Sequence, residues 1–192
     1  MPIDHASLDS PALGRALIGH ARDAIAQALG LPRTMPPEYA LLDGPGATFV
    51  TLTRHGVLRG CIGQLQASRT LRDDVRANAV AAALRDPRFA PLTRAEWPTI
   101  AVEVSVLGPI RYTPCPDEAR ALTLIEPGAD GVVLSGNGRG ATFLPQVWRQ
   151  LPTAREFLAH LLRKAGLSQW PADMQVGLYR VHEFHEPQAS EA

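Results

Sequence analysis

Cysteine is nearly absent from this chain: Cys61 and Cys115 are the only two among 192 residues. Two are too few for a disulfide framework, and no C-x-x-C pair exists for zinc or dithiol redox work, so a reducing cytoplasm is the expected setting. Lysine is scarcer still, with Lys164 alone among nineteen basic residues. Arginine stands in for it, a pattern expected of a GC-rich bacterial genome that speaks of source and not of function. A net charge of either sign is also missing, because nineteen acidic residues balance the nineteen basic ones. No overall field therefore draws the chain to nucleic acid or to an anionic membrane surface. No run approaches the ~18 apolar residues of a membrane span. MPIDHASLDSPALG lacks the basic and then apolar order of an export signal, so neither export nor insertion is expected. Internal repeats and long linkers are absent as well.

Hydrophobic residues make up 45% of the chain and charged residues 20%, ordinary values for a folded globular domain. Ser10-Pro11 reads as the start of a helix that carries Leu13, Leu17, Ala21, Ala24, Ile25 and Leu29 at helical spacing and stops at Gly30. ATFVTLTR and VLRGCIGQL flank a His55-Gly56 turn and predict a hairpin. Thr70 and Asp73 cap a second helix that Asp86-Pro87 breaks. In TIAVEVSVL, Ile100, Val102, Val104 and Val106 fall on one face of a strand. Asp117 to Leu124 reads as a short helix, DGVVLSGNGRGATFL as strand, turn and strand, and Thr153 to Ala165 as a last helix. MQVGLYRVHEF is expected to be one closing strand, and PQASEA (187–192) a polar tail. LPRTMPPEY is the one segment that could join the first helix to a separate lobe. Strand pairs alternating with isolated helices predict an α+β fold with mostly antiparallel sheet flanked by helices, in a single domain.

Chemistry concentrates in LRGCIGQL, residues 58–65. A reactive cysteine needs its thiolate, which a nearby cation or backbone N–H donors favour. On a regular strand Arg59 and Cys61 share a face, and Gly60 and Gly63 leave room for close approach. The plainer reading is a small apolar cysteine in a strand whose glycines mark a bulge or a tight crossing. Residues alone leave both open. His5, His20, His55, His160, His182 and His185 supply no evident base and are expected at the surface. H-x-x-H at His182 and His185 points two rings to opposite faces of a strand, so no metal site is expected there. SGNGRG matches no phosphate loop and is read as a hairpin turn. Arg69, Arg72 and Arg76, with Asp73 and Asp74 between, read as a solvated, partly self-neutralised face.

LRGCIG, the helix LRDDVRANAVAAALRDPRF, PLTRAEWPTIAVEVSVL, GADGVVL, ATFLPQVW and REFLAHLLRKAGL together resemble the AMMECR-one domain family, whose bacterial and archaeal members are called AmmeMemoRadiSam system protein A. Gln64, where a small or hydroxyl residue is usual, and Ala90, where proline is common, are departures from its pattern. The resemblance implies a larger and a smaller lobe on antiparallel sheet, and a cleft lined by the LRGCIG residues. In that cleft Cys61 would be nucleophile or redox-sensitive thiol and Arg59 its electrostatic support, with Gly60, Ile62 and Gly63 as ligand-binding positions. It also implies a link to a Memo-like protein and a radical S-adenosylmethionine enzyme, which would carry their own metals; no cofactor is expected in this chain. Two functions follow: thiol-dependent chemistry on a small molecule or modified macromolecule, or a non-catalytic adaptor for those partners.

Overall fold

The computed structural model describes residues 8–186. The expected tail and His5 lie outside them. Helix α1 (Pro11–Ala28) starts with Pro11 at its first position, where a missing N–H costs nothing, and Ser10 makes no side-chain cap. Leu13, Leu17, Ala21, Ala24 and Ile25 are buried on one stripe, and Gly30 ends the helix at a φ of 66°. Helix α2 (Leu71–Leu84) carries a reciprocal cap. The Asp73 amide donates to Thr70 Oγ1 over 3.1 Å, and that hydroxyl donates to the Asp73 carboxylate over 2.8 Å.

Between the helices run β1 (Pro45–Gly46), β2 (Thr48–Arg54) and β3 (Val57–Gly63), and β4 (Arg69–Thr70) pairs with β1 just before α2. His55 and Gly56 turn the β2–β3 hairpin with φ of 51° and 75°, the primed geometry whose twist matches that of the strands. After α2 comes β5 (Ile100–Leu107). The chain then forms β6 (Arg111–Pro114), helix α3 (Glu118–Leu124), β7 (Gly131–Gly136), β8 (Arg139–Phe143), helix α4 (Ala154–Lys164), β9 (Gln175–Tyr179) and β10 (Val181–His185). The architecture is α+β with antiparallel sheets, as the alternation of strand pairs and helices predicts.

Two compact units result: one comprises the chain up to Leu107 together with the residues from His182, the other Gly108–Val181. The first holds a sheet in the order β10-β5-β2-β3. Ile100, Val102, Val104 and Val106 of β5 and Val50 and Leu52 of β2 are buried in one cluster with Leu17 and Ile25 of α1 and Leu71 and Val75 of α2. The proline-rich segment after α1 does not lead to a separate lobe. It stays in the first unit, close enough that a Cβ on Gly19 would stand 3.0 Å from Pro36 Cβ.

Charge placement departs from the solvated face expected on α2. Asp74 is buried on the same stripe as Leu71 and Val75, and its Oδ2 accepts from the Thr48 amide and hydroxyl at 2.8 Å each and from Asn78 Nδ2 at 2.9 Å. Arg76 reaches across to buried Asp23 of α1 at 2.9 Å, and Arg72 bridges Glu38 and Asp43. A buried carboxylate needs such donors. His20, expected at the surface, is buried beside Arg72, with Nε2 3.2 Å from its Nη1.

The second unit has its own sheet, β6-β9-β7-β8, and its own core. Phe157 of α4 stacks on Trp148 at 3.7 Å between centroids and meets Phe143 edge-on at 5.3 Å. Thr153 caps α4 and Asp117 caps α3, accepting from the Arg120 amide at 2.8 Å. Asn137 and Gly138 make the β7–β8 turn at φ of 50° and 69°, and the Asn137 amide donates to both oxygens of Asp173. MQVGLYRVHEF is not one strand: it breaks at Arg180, β9 joining the second sheet and β10 the first. Val104→Asp would place an unpaired carboxylate at a fully buried position, at a cost of several kcal/mol against a typical stability of roughly 5–15. We expect no cooperative melt for that variant by circular dichroism.

Candidate functional site

The glycines of LRGCIG face occupied space. A Cβ on Gly60 would run into the backbone carbonyl oxygen of Ala82 in α2, and one on Gly63 into the Phe49 ring and the Thr48 carbonyl. They are places where the strand passes close to its neighbours, so their Cβ sides are closed to a ligand. Ile62 packs against the hydrophobic cluster beneath the sheet. Of the five positions singled out in sequence, Gly60, Ile62 and Gly63 therefore serve packing in this structure.

Arg59 does not lie beside the sulfur. Leu52 pairs with Gly60 and Thr53 with Leu58, so Arg59 is the extra residue of a β-bulge. A bulge breaks the alternation that puts residues 59 and 61 on one face and re-aims the side chain. Arg59 Nε and Nη2 instead donate to Glu96 Oε1 and Oε2 over 2.9 and 3.3 Å, and its guanidinium lies 5.9 Å from the Phe89 ring centroid. Glu96 also accepts from the Thr93 amide and hydroxyl, over 3.0 and 2.9 Å. These contacts, the Arg59 bonds first, hold the Glu96 carboxyl at about 2 against an ordinary 4.5.

Cys61 sits opposite Thr51 of β2, whose hydroxyl donates to Sγ over 3.3 Å. Its amide donates to Asp86 Oδ2 over 2.8 Å and its carbonyl accepts from Arg88 Nη2 over 3.2 Å. Arg88, with 54% of its side chain exposed against 15% for Arg59, is the cation that acts on the thiol. Burial nevertheless wins and pushes the Cys61 thiol up; Thr51 and Arg88 oppose it, and Asp86 and Glu103 add to it. Cys61 is therefore a neutral thiol at rest, contrary to the Arg59-activated thiolate considered from sequence. Cys115 is fully buried in the second unit, and burial pushes its thiol up too.

The row continues across the sheet. Thr51 is also the register partner of Glu103 on β5, and Glu103 Oε2 lies 3.2 Å from Nδ1 of His185 on β10. Cys61, Thr51 and Glu103 thus stand side by side on three adjacent strands, on the face opposite α1 and α2. His182 turns elsewhere, to Asp9 at 3.1 Å, and His55 and His160 are exposed. Among the described residues no group of three His, Cys, Asp or Glu side chains is placed to hold a metal ion, and no helix is long and apolar enough to cross a membrane. Sequence reading missed Thr51, Asp86, Arg88, Glu96, Glu103 and the pairing of His185. Asp86 drew notice there as part of a helix stop and not as a partner of Cys61.

A family model described as AMMECR1 matches residues 18–184. A protein of Methanothermobacter thermautotrophicus is 35% identical over 183 residues, which is 90% of this chain and 94% of that protein. One of Thermotoga maritima is 34% identical over 155 residues, 80% and 84% of the respective chains. The crystal structure of an uncharacterized protein of Pyrococcus horikoshii matches with a TM-score of 0.79 at 33% identity, over 90% of this chain and 91% of that one.

Gly60→Ala sets a Cβ against a backbone oxygen that cannot rotate away, and overpacking of this kind costs about 1–3 kcal/mol. We expect a lowered melting temperature by calorimetry. The Arg59–Glu96 pair should also give the fold an acid limb. Because the carboxyl of Glu96 is lower folded than unfolded, its contribution is complete above pH 4.5 and is lost as the pH falls toward 2. Urea unfolding across that range should show Glu96→Gln with a shallower loss of stability than the parent.

Proposed function

We propose a ligand-handling role for this chain, which belongs to the AMMECR1 family. Its working surface in this reading is the sheet face that carries Cys61, Thr51 and Glu103, and its ligand a small molecule or a modified macromolecule. The observation that carries the reading is that polar row: a hydroxyl bonded to the sulfur at 3.3 Å and a carboxylate one strand further on, opposite the helix-covered face. Cys61 would meet the ligand as a protonated thiol, and any nucleophilic step would begin with loss of its proton once the ligand is bound. Thr51 would orient the sulfur.

A second reading, an adaptor for a Memo-like protein and a radical S-adenosylmethionine enzyme, draws support from the same motif. Arg59 is held by a carboxylate, and the glycines are filled by Ala82 and Phe49. Both readings place the chain in the cytoplasm, in keeping with two free cysteines.

Alkylation of folded protein by iodoacetamide, followed for each cysteine by mass spectrometry against pH, tests the thiol. Cys61 should react with a midpoint above the free-thiol value of about 8.5, and Cys115 more slowly still. A midpoint below that value would restore the activated thiolate. A small-molecule extract of the host should slow alkylation of Cys61. If it does not, and the protein purifies from its host in stoichiometric complex with a Memo-like or radical enzyme partner, the adaptor reading replaces the first.

A further inference from the structure

Among the described residues strand β3 is an edge: β2 pairs with one of its sides and no strand of its sheet with the other. An unpaired edge leaves backbone N–H and C=O groups to water or to another chain. At Cys61 both are taken by side chains, the N–H by Asp86 and the C=O by Arg88. The two side chains also grip each other. Arg88 Nε and Nη2 donate to Asp86 Oδ1 and Oδ2 over 2.9 and 2.7 Å, the bidentate geometry of a strong pair, and the Arg88 amide donates to Oδ1 over 3.1 Å. Asp86 is buried and Arg88 more than half exposed. Pro87, with its fixed φ, separates them just beyond the end of α2.

We propose that Asp86 and Arg88 form a positioning pair for Cys61, standing where a neighbouring strand would stand and governing both the pose of residue 61 and the charge its sulfur meets. The proposal rests on the reading that Cys61 meets the ligand. It gives the two members opposite effects. The negative charge of Asp86 opposes a thiolate, as does that of Glu103 on β5. The positive charge of Arg88 favours one, and the Thr51 hydroxyl on β2 donates to the sulfur. Arg59 on β3 itself is held by Glu96.

Opposite signs make the pair testable. Asp86→Asn keeps an acceptor for the Cys61 amide and removes the negative charge; Arg88→Gln removes the positive one and leaves Asp86 in place. At pH 7.5 Asp86→Asn should speed alkylation of Cys61 by iodoacetamide roughly three- to tenfold and Arg88→Gln should slow it by a similar factor, the size expected when one charge beside a thiol is removed. Arg88→Lys, which keeps the charge, should recover most of the lost rate. A brace with no electrostatic role predicts otherwise: both variants would loosen the edge, expose Cys61 and speed its reaction. Changes of the same sign, or none in a variant with a native melt, would overturn the proposal. Should Asp86→Asn fail to fold, Arg88→Gln decides alone, because its side chain is largely in solvent; a rate unchanged or raised refutes the pair. The rates report on Cys61 whether or not a ligand exists. Failure here leaves the ligand-handling reading standing, and an extract that never protects Cys61 defeats that reading without touching the pair.

Discussion

The close approach of α2 to β3 is the constraint on which the rest of the motif depends. Where a side chain at residue 60 would be, the carbonyl oxygen of Ala82 is. Only glycine permits that contact. It brings the end of α2 to the strand, and so lets the residues that follow the helix reach the free edge at Cys61. The same approach packs the partly buried Ile62 against the cluster beneath the sheet and leaves Cys61 on the opposite face beside Thr51. A motif that looks like a reactive loop in sequence is thus first a packing device, and its chemical face is what the packing leaves over.

Electrostatics follow the same economy of partners. The chain carries equal numbers of acidic and basic residues, and around the motif they are matched side by side: Arg59 and Arg54 with Glu96, Arg88 with Asp86, Arg69 with Asp74. Arg59, held by Glu96, is not the cation that meets the sulfur, and Arg88 offsets burial only in part. Desolvation then decides, and the thiol stays protonated. The structure moves attention from the cation nearest in sequence to Arg88, which is twenty-seven residues away from the Cys61 carbonyl it binds.

Much of the local structure was legible in the residues. Thr70, Asp117 and Thr153 cap helices as their side chains suggest, His55-Gly56 and Asn137-Gly138 turn hairpins at positive φ, and the alternation from Ile100 to Val106 marks the buried face of β5. Other features escaped. Arg59 left its expected face because the bulge adds one residue against β2, which only the pairing with Leu52 and Thr53 reveals. MQVGLYRVHEF reads as one strand because no glycine-proline break or turn signal separates its halves, yet β9 ends before Arg180 and β10 begins after it in another sheet.

By itself the sequence determined what depends on neighbours a few positions apart: caps, turns, periodic burial and the order of elements, together with the motifs that mark the family. Tertiary structure alone decided which charge meets which. The partner of the Cys61 amide lies 25 residues on and that of Arg59 lies 37, and no local spacing encodes a contact between such positions. Those contacts follow from the packing of α2 on β3 and from the register of the sheet, where a one-residue bulge moves a side chain to another neighbour. The chemistry open to Cys61 is set there.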